Sequence, residues 1–252
     1  MNNDPIIIAH RGASFDAPEN TLAAIDLAWQ QGADAVEFDV HLTTDNKIVL
    51  IHDEDTFRTC GQHALIKDQT YRALYEFDFG RYKGEQWAGE RIPVLEDVLQ
   101  TVPSGKKVFI EIKCGLNILP ILEDVLAKSA LNSEQITLMD FDLNVITIVK
   151  KAFPHLTCLW IAFLPDSQRI LFRQRWILYR WLHKIEKAGL DGLNVSIPVG
   201  LAKMLTKITK RRGKAIFVWT INEAVSAAKL QQIGVKGIIT DRPGWLREQL
   251  LK

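Results

Sequence analysis

Cysteine is nearly absent from this 252-residue chain, which has only Cys60, Cys114 and Cys158. They are odd in number, far apart and form no CxxC pair, which argues against a disulfide framework and against a zinc–thiolate site. An excess of basic charge is missing too. Lysine and arginine number 31 against 30 acidic residues, a formal net charge of +1, so no electropositive field marks a nucleic-acid partner. No apolar run approaches the ~20 residues that a helical membrane span needs. The opening MNNDPIII has no basic region before its short apolar run and no small-residue cleavage site after it, so no secretory signal is expected. No GxGxxG or GxxxxGK[ST] follows any strand-like run, which removes the usual nucleotide-binding loops. What is left is an ordinary soluble composition, 47% hydrophobic and 24% charged, and a cytoplasmic location is the expectation.

Eight short, mostly β-branched runs are present: IIIAH (6–10), AVEFDV (35–40), VFIEIK (108–113), ITLMD (136–140), TCLWIA (157–162), GLNV (192–195), IFVWT (216–220) and GIITD (237–241). Amphipathic segments lie between most of them. In the first, NTLAAIDLAWQQG, Asn20 is placed to cap a helix, Leu22, Ile25 and Trp29 share a face, and Gly32 ends it. Strands alternating with helices predict a parallel sheet. Eight such units in a chain of about the typical ~250 residues predict a closed (β/α)8 TIM barrel, an α/β fold spanning 1–252 as one domain. An open doubly wound sheet is the weaker alternative.

A ninth run, KIVLIHD (47–53), follows the second strand after only Thr43-Thr44-Asp45-Asn46. Four residues cannot make a parallel crossover but can make a hairpin. It is therefore expected to fold back as an extra antiparallel strand. Pairing Thr43 with Ile48 would set Asp39 opposite His52. Residues 54–92 fit no strand–helix unit and are rich in glycine, charge and aromatics. A long insertion of this kind is usually functional or a small subdomain. PVLEDVLQTV (93–102) resumes a helix with Pro93 near its start.

In such a barrel, chemistry sits at the C-terminal ends of the strands. There the first strand carries His10 and Arg11, the second Glu37 and Asp39, the hairpin strand His52, and the third Glu111 and Lys113. Trp219 and Asp241 end the last two. The i, i+2 spacing turns Glu37 and Asp39 to one side of their strand. Barrel strands pack their outer face on helices, so that side is the interior. Three carboxylates meeting there repel one another unless a cation lies between them, and hard oxygen donors suit Mg2+ or Ca2+. Arg11 and Lys113 would hold an anion, plausibly phosphate, beside the metal. His10 and His52 have the ordinary pKa range for proton transfer near neutral pH. A lone strand-end histidine is more often structural, and the weight here comes from co-occurrence on four strand ends. His41, His63, His155 and His183 have no such company and are expected to be surface or packing residues. Trp219 is equally readable as core or as a substrate contact.

The chain resembles the glycerophosphodiester phosphodiesterases, barrels similar to phosphatidylinositol-specific phospholipase C. The resemblance rests on HRG (10–12), PENT (18–21), EFDV (37–40), HD (52–53), IPVLEDVL (92–99), EIK (111–113), WTIN (219–222) and TDRP (240–243), in family order over nearly the whole chain. The family's insertion after its HD pair corresponds to 54–92. The resemblance implies Glu37, Asp39 and Glu111 as metal ligands, His10 and His52 as acid and base, and Arg11 and Lys113 as the phosphate clamp. It implies hydrolysis of diesters such as glycerophosphocholine and glycerophosphoethanolamine to sn-glycerol 3-phosphate and an alcohol, in phospholipid catabolism. The glycerol 2-hydroxyl would be the internal nucleophile and a cyclic phosphate the intermediate. The aromatics of 54–92 are then expected to roof the glycerol side of the site.

Two features depart from that pattern. MDFD (139–142) places Asp140 where many members have serine, which would change the charge of the site or add a distant metal contact. The arginine- and tryptophan-rich segment 169–189 reads first as a barrel helix with snorkelling arginines. Its alternative is an interfacial helix touching lipid, which would favour a lysophospholipase D acting at a membrane. A catalytically silent barrel that binds phosphodiesters is the reading from another class, and the full set of histidines and carboxylates speaks against it.

Overall fold

The computed structural model describes residues 4–164 and 171–251. Nine strands form one sheet: β1 (Ile6–His10), β2 (Ala35–Leu42), β3 (Ile48–Leu50), β4 (Lys107–Ile112), β5 (Ile136–Asp140), β6 (Thr157–Phe163), β7 (Gly192–Ser196), β8 (Ala215–Val218) and β9 (Gly237–Thr240). All but β3 pair in parallel, in the order β1, β2, β4 to β9, and β9 returns to β1 to close the ring. This is the expected (β/α)8 barrel. β3 lies outside the ring, antiparallel to β2.

Strand alternation sorts the side chains into two cores. Val36, Phe38, Val108, Ile110, Leu138, Leu193, Val195, Ile216 and Ile238 face outward onto the helices. Ile8, Ala35, Phe109, Met139, Leu159, Ile161, Phe217 and Ile239 face inward and fill the barrel. Continuous apolar runs such as IIIA are what strands buried on both faces require. Above this plug the same inward positions turn polar: His10 on β1, Glu37 and Asp39 on β2, Glu111 on β4 and Asn194 on β7.

The helix Leu22–Gln30 is capped by Thr21, whose side chain accepts the Ala24 N–H, and not by Asn20 as the sequence suggested. Asn20 has φ +56°, a left-handed conformation that asparagine tolerates better than most residues. Its side chain is used inside the barrel instead.

The hairpin is shifted by one residue from the expected register. Leu42 pairs with Ile48, and the Ile51 N–H donates to the Asp39 carbonyl, so Ile51, not His52, lies opposite Asp39. The turn explains the shift. Thr43 faces Lys47 through backbone and hydroxyl hydrogen bonds, and Asn46 takes φ +58°. This is a three-residue loop with a left-handed last residue, a common hairpin geometry.

Residues 54–92 pack largely on β3. Ile66, Leu74 and Phe79 bury themselves against Val49 and Ile51, with Tyr71 and Phe77 at the margin. Three of its aromatics, Tyr71, Phe77 and Phe79, are thus spent on its own small core, while Phe57, Tyr75 and Tyr82 stay exposed.

Of segment 169–189, Arg169 and Ile170 lie outside the described residues. The helix Leu171–Lys187 buries Leu178, Trp181, Leu182 and Ile185 on one face, the i, i+3, i+4, i+7 pattern of a barrel helix. Trp176 faces outward under the Arg180 guanidinium, 4.7 Å from the ring centre. No described helix is long and apolar enough to cross a membrane.

Candidate active site

The register of the barrel assembles the site. His10 is the pairing partner of Glu37, and Asp39 that of Glu111. Two pairs of neighbouring strands therefore bring four functional side chains to one quarter of the rim. All three carboxylates are buried, and one oxygen from each lies within 4.8 Å of the others.

Electrostatics make this cluster unstable on its own. Burial, with the nearby Asp39 and Glu111 charges, pushes the Glu37 carboxyl well above its ordinary range. Burial and the Asp39 charge push Glu111 up to about 7. Burial would raise Asp39 too, but the Arg11 and Lys113 charges override it and hold it low. Lys113 lies 2.5 Å from Glu111 and 3.5 Å from Asp39, and Arg11 Nε 3.2 Å from Asp39. Two cations thus face three buried carboxylates, and Arg11 is shared with Glu19, 2.8 Å away. An additional cation would settle the balance, since buried charges are tolerated only when paired. The donor set, three carboxylate oxygens in reach of one point, is that of a divalent hard-cation site.

Arg11 is held by its backbone as well as its side chain. It takes φ +56°, which a non-glycine residue adopts at a cost and which clusters at functional sites. The Arg11 N–H donates to Glu37 Oε2, and its carbonyl accepts from the Asn20 N–H. Gly12 follows at φ +83°, where a Cβ would meet Ala24 backbone at 2.6 Å. The glycine of HRG is thus required twice, for the turn and for the close approach of the next helix.

Each histidine rests on a carboxylate. His10 Nδ1 lies 2.7 Å from Asp241, which also accepts from Asn222 and Ser14. His52 Nδ1 lies 2.6 Å from Asp53. Burial would raise both aspartates, but their hydrogen bonds, from His10 to Asp241 and from Arg58 and His52 to Asp53, bring them below the usual range. As ionised acceptors they draw a proton to each Nδ1 and leave each Nε2 unengaged by them. Burial also depresses His52, despite the opposing Asp39 charge, which favours its neutral form.

His10, Arg11, Glu37, His52 and Glu111 line one side of a cavity of about 80 Å3, and Phe141, Ile161, Asn194, Trp219 and Ile239 line the other. Trp219 and Phe141, each just past the end of its strand (β8 and β5), meet edge to face at 5.7 Å, and Ile161 on β6 and Ile239 on β9 complete the apolar wall. No residue of 54–92 is among those lining it, so the aromatics of the insertion do not form this wall. Lys113 sits beside it, its Nζ 5.5 Å from the Phe141 ring centre. Larger hollows exist, among them a groove of about 410 Å3 behind Lys113 and one of about 370 Å3 at the opposite barrel end near Lys210, but neither contains the carboxylate cluster.

Several residues of this site were not singled out by the sequence reading. Asn20 clamps Asp39, donating to Oδ2 at 3.0 Å and accepting its backbone N–H at 3.2 Å. Arg58 donates to Asp53 at 2.6 Å and to both oxygens of Glu19 at 2.8 Å. Asp53 and Asp241 stood in motifs but had no role there. Asp140 is not part of the carboxylate cluster among the described residues. It accepts the Asp142 N–H at 2.6 Å in the turn after β5. His41 is buried, with Nε2 3.3 Å from the His52 carbonyl, and His63 is exposed and stacked on Phe57. Both are surface or packing residues, as expected.

The glycerophosphoryl diester phosphodiesterase family model matches residues 10–245. A glycerophosphodiester phosphodiesterase of Caldanaerobacter subterraneus is 34% identical over 247 residues, covering 94% of each chain. Among solved structures, an Oleispira antarctica phosphodiesterase in complex with its product sn-glycerol-3-phosphate superposes with a TM-score of 0.85 at 26% identity, over 99% of this chain and 98% of that one. A Thermotoga maritima glycerophosphodiester phosphodiesterase gives 0.75 at 26% identity, over 97% of both. With the barrel, the buried carboxylates and both histidine–aspartate pairs in place, the chain belongs to the glycerophosphoryl diester phosphodiesterase family.

Proposed function

We propose that this protein hydrolyses soluble glycerophosphodiesters, such as glycerophosphocholine and glycerophosphoethanolamine, to sn-glycerol 3-phosphate and the free alcohol, in cytoplasmic phospholipid catabolism. The observation that carries the reading is the cluster of Glu37, Asp39 and Glu111 flanked by two cations and two carboxylate-bound histidines. Glu37, Asp39 and Glu111 would hold one divalent cation, Mg2+ or Ca2+, which supplies Lewis-acid polarisation of a phosphoryl oxygen. Arg11 and Lys113 bind the remaining phosphate charge and stabilise it as it grows in the transition state.

The histidines move the protons. His52, held neutral by burial, takes the proton of the glycerol 2-hydroxyl as its oxygen bonds to phosphorus. His10, entering the step protonated on both nitrogens with Nδ1–H held by Asp241, gives its Nε2 proton to the leaving alcohol as that P–O bond breaks. The product of this half is a cyclic glycerophosphate. In the second half the roles exchange: His10 takes a proton from water, and His52 returns one to the 2-oxygen as the ring opens.

A lysophospholipase D acting at a membrane is the second reading, favoured only by exposed Trp176, Tyr179 and Arg180 on one barrel helix. Turnover of glycerophosphocholine and lysophosphatidylcholine, measured with EDTA and after adding back Mg2+ or Ca2+, tests both. The expected result is hydrolysis of the soluble diester, abolished by chelator and restored by cation. Full activity in EDTA sinks the metal site, and preference for the lysolipid moves the assignment to the second reading.

A further inference from the structure

Three residues lining the small cavity carry a buried polar atom with no hydrogen-bond partner among the described residues: Arg11 Nε, which still has the Asp39 carboxylate at 3.2 Å, and Asn194 Oδ1 and Trp219 Nε1, which have no such charge beside them. Asn194 is only 3% exposed. It projects inward from β7, and its two pairing partners, Ile161 on β6 and Phe217 on β8, are both inward-facing and apolar. Its amide nitrogen has only a 3.5 Å contact with Met139 sulfur. Trp219 is the next inward position after Phe217 on the neighbouring strand, so it stands just above Asn194. An unsatisfied buried polar group is destabilising, and native proteins keep such groups where a ligand or water completes them.

We infer that Asn194, with Trp219, is the recognition element for the terminal hydroxyl of the glycerol unit. The inference rests on the functional reading above and extends it to what makes the glycerol moiety the specified half of the substrate. A hydroxyl satisfies both atoms at once, donating to Asn194 Oδ1 and accepting from Trp219 Nε1. Phe141, Ile161 and Ile239 supply apolar contact for the carbons. The cavity of about 80 Å3 is several times the ~10–15 Å3 that one water needs by the same kind of measure. The arrangement also matches the chemistry: the phosphate end is held by cations, the 2-hydroxyl reacts, and the remaining hydroxyl lies at the apolar end of the cavity. A site built to hydrogen-bond a substrate hydroxyl rejects the analogue lacking it strongly, because its own polar groups are then left unpaired.

The test compares glycerophosphocholine with its 1-deoxy analogue, the phosphocholine diester of propane-1,2-diol, which keeps the 2-hydroxyl and the leaving group. Wild-type kcat/KM should fall at least about a hundredfold on the deoxy diester. In Asn194→Leu, which replaces the orphaned amide with an apolar side chain of similar size, the glycerol diester should lose most of that advantage and the ratio should drop below about fivefold. Its thermal midpoint should be at or above that of wild type. Should the leucine variant fail to fold, Asn194→Ala makes the same comparison with a smaller side chain that also lacks the acceptor. Equal kcat/KM for the two diesters in the wild type overturns the assignment and leaves water as the occupant of the cavity. An undiminished ratio in the folded variant overturns it as well. No turnover of either diester by the wild type instead overturns the functional reading on which it rests.

Discussion

At the scale of single residues, the site is a set of groups whose ordinary behaviour is changed by their neighbours. His10 and His52 each have one nitrogen fixed by an aspartate and the other free. Replacing either by alanine should lower kcat by ~10^2- to 10^4-fold, the usual contribution of a general acid or base. Stabilisation by added Mg2+ or Ca2+ in thermal unfolding should persist, since neither histidine belongs to the carboxylate cluster. Near-normal turnover of either variant across the pH range would make that histidine structural. Asp140 offers a stability prediction. Burial, helped by the Asp142 charge, lifts its pKa to about 6, while an unfolded aspartate titrates near ~3.9. The folded state therefore holds this proton more tightly. Its contribution to stability is full below about pH 4, declines as pH rises through 6, and is flat beyond. Asp140→Asn keeps an acceptor for the Asp142 N–H and removes the titration. It should match wild type at pH 4 and exceed it above pH 6 by on the order of 2–3 kcal/mol in urea denaturation. A variant with the wild-type pH slope would show that this carboxyl is not the titrating group.

At the scale of elements, the insertion acts through one arginine. Arg58, on the short helix Phe57–Cys60, holds Asp53, which orients His52, and Glu19, which orients Arg11. One guanidinium thus ties the proposed proton-transfer group and the proposed phosphate-binding group to the same post. Because small misplacements of reacting groups cost rate steeply, Arg58→Gln should lower kcat/KM by roughly 10- to 100-fold. The thermal midpoint should hardly change, and Arg58→Lys should recover only part, lacking the fork. Loss of activity in proportion to loss of folded protein would reduce Arg58 to a surface staple. This network was not legible in the sequence, because it is made by side chains meeting across 39 positions and no local pattern encodes that. The barrel was legible, since buried parallel strands alternate with amphipathic helices in a repeating order. So were Glu37, Asp39 and Glu111, whose i, i+2 spacing and strand-end placement decide which way they face. The hairpin register was missed by one residue, because both turns fit the same four polar residues and only the left-handed Asn46 selects between them. Asn20 was misread for a related reason: it and Thr21 are both good caps, and the choice depends on Asp39 across the barrel. Asn194 carried no signal at all, lying in a run as short as GLNV.

At the scale of the whole molecule, the proposed function would have charge, cavity and fold divide the substrate into a specified half and a free half. On that reading the carboxylates, Arg11 and Lys113 address the phosphate and the small cavity lined by Trp219 and Phe141 addresses the glycerol side, while a larger groove behind Lys113 has exposed Glu54 and Lys67 in its lining. The contacts assigned above fall on the phosphate and the glycerol and none on the leaving alcohol, so glycerophosphocholine, glycerophosphoethanolamine and glycerophosphoglycerol should be hydrolysed with comparable kcat/KM. If the 2-hydroxyl is the nucleophile, methylating it should abolish turnover while the diester still binds, because the phosphate contacts do not involve that proton. The methylated diester should then act as a competitive inhibitor with a Ki near the substrate's KM. Bis(p-nitrophenyl) phosphate, which has no such hydroxyl, should be a poor substrate despite its better leaving group. Rapid hydrolysis of the methylated diester would instead require direct attack by water. In that case His52 would have to reach a water on the far side of phosphorus from the leaving alcohol, and the cyclic intermediate would be absent from a quenched reaction followed by 31P NMR.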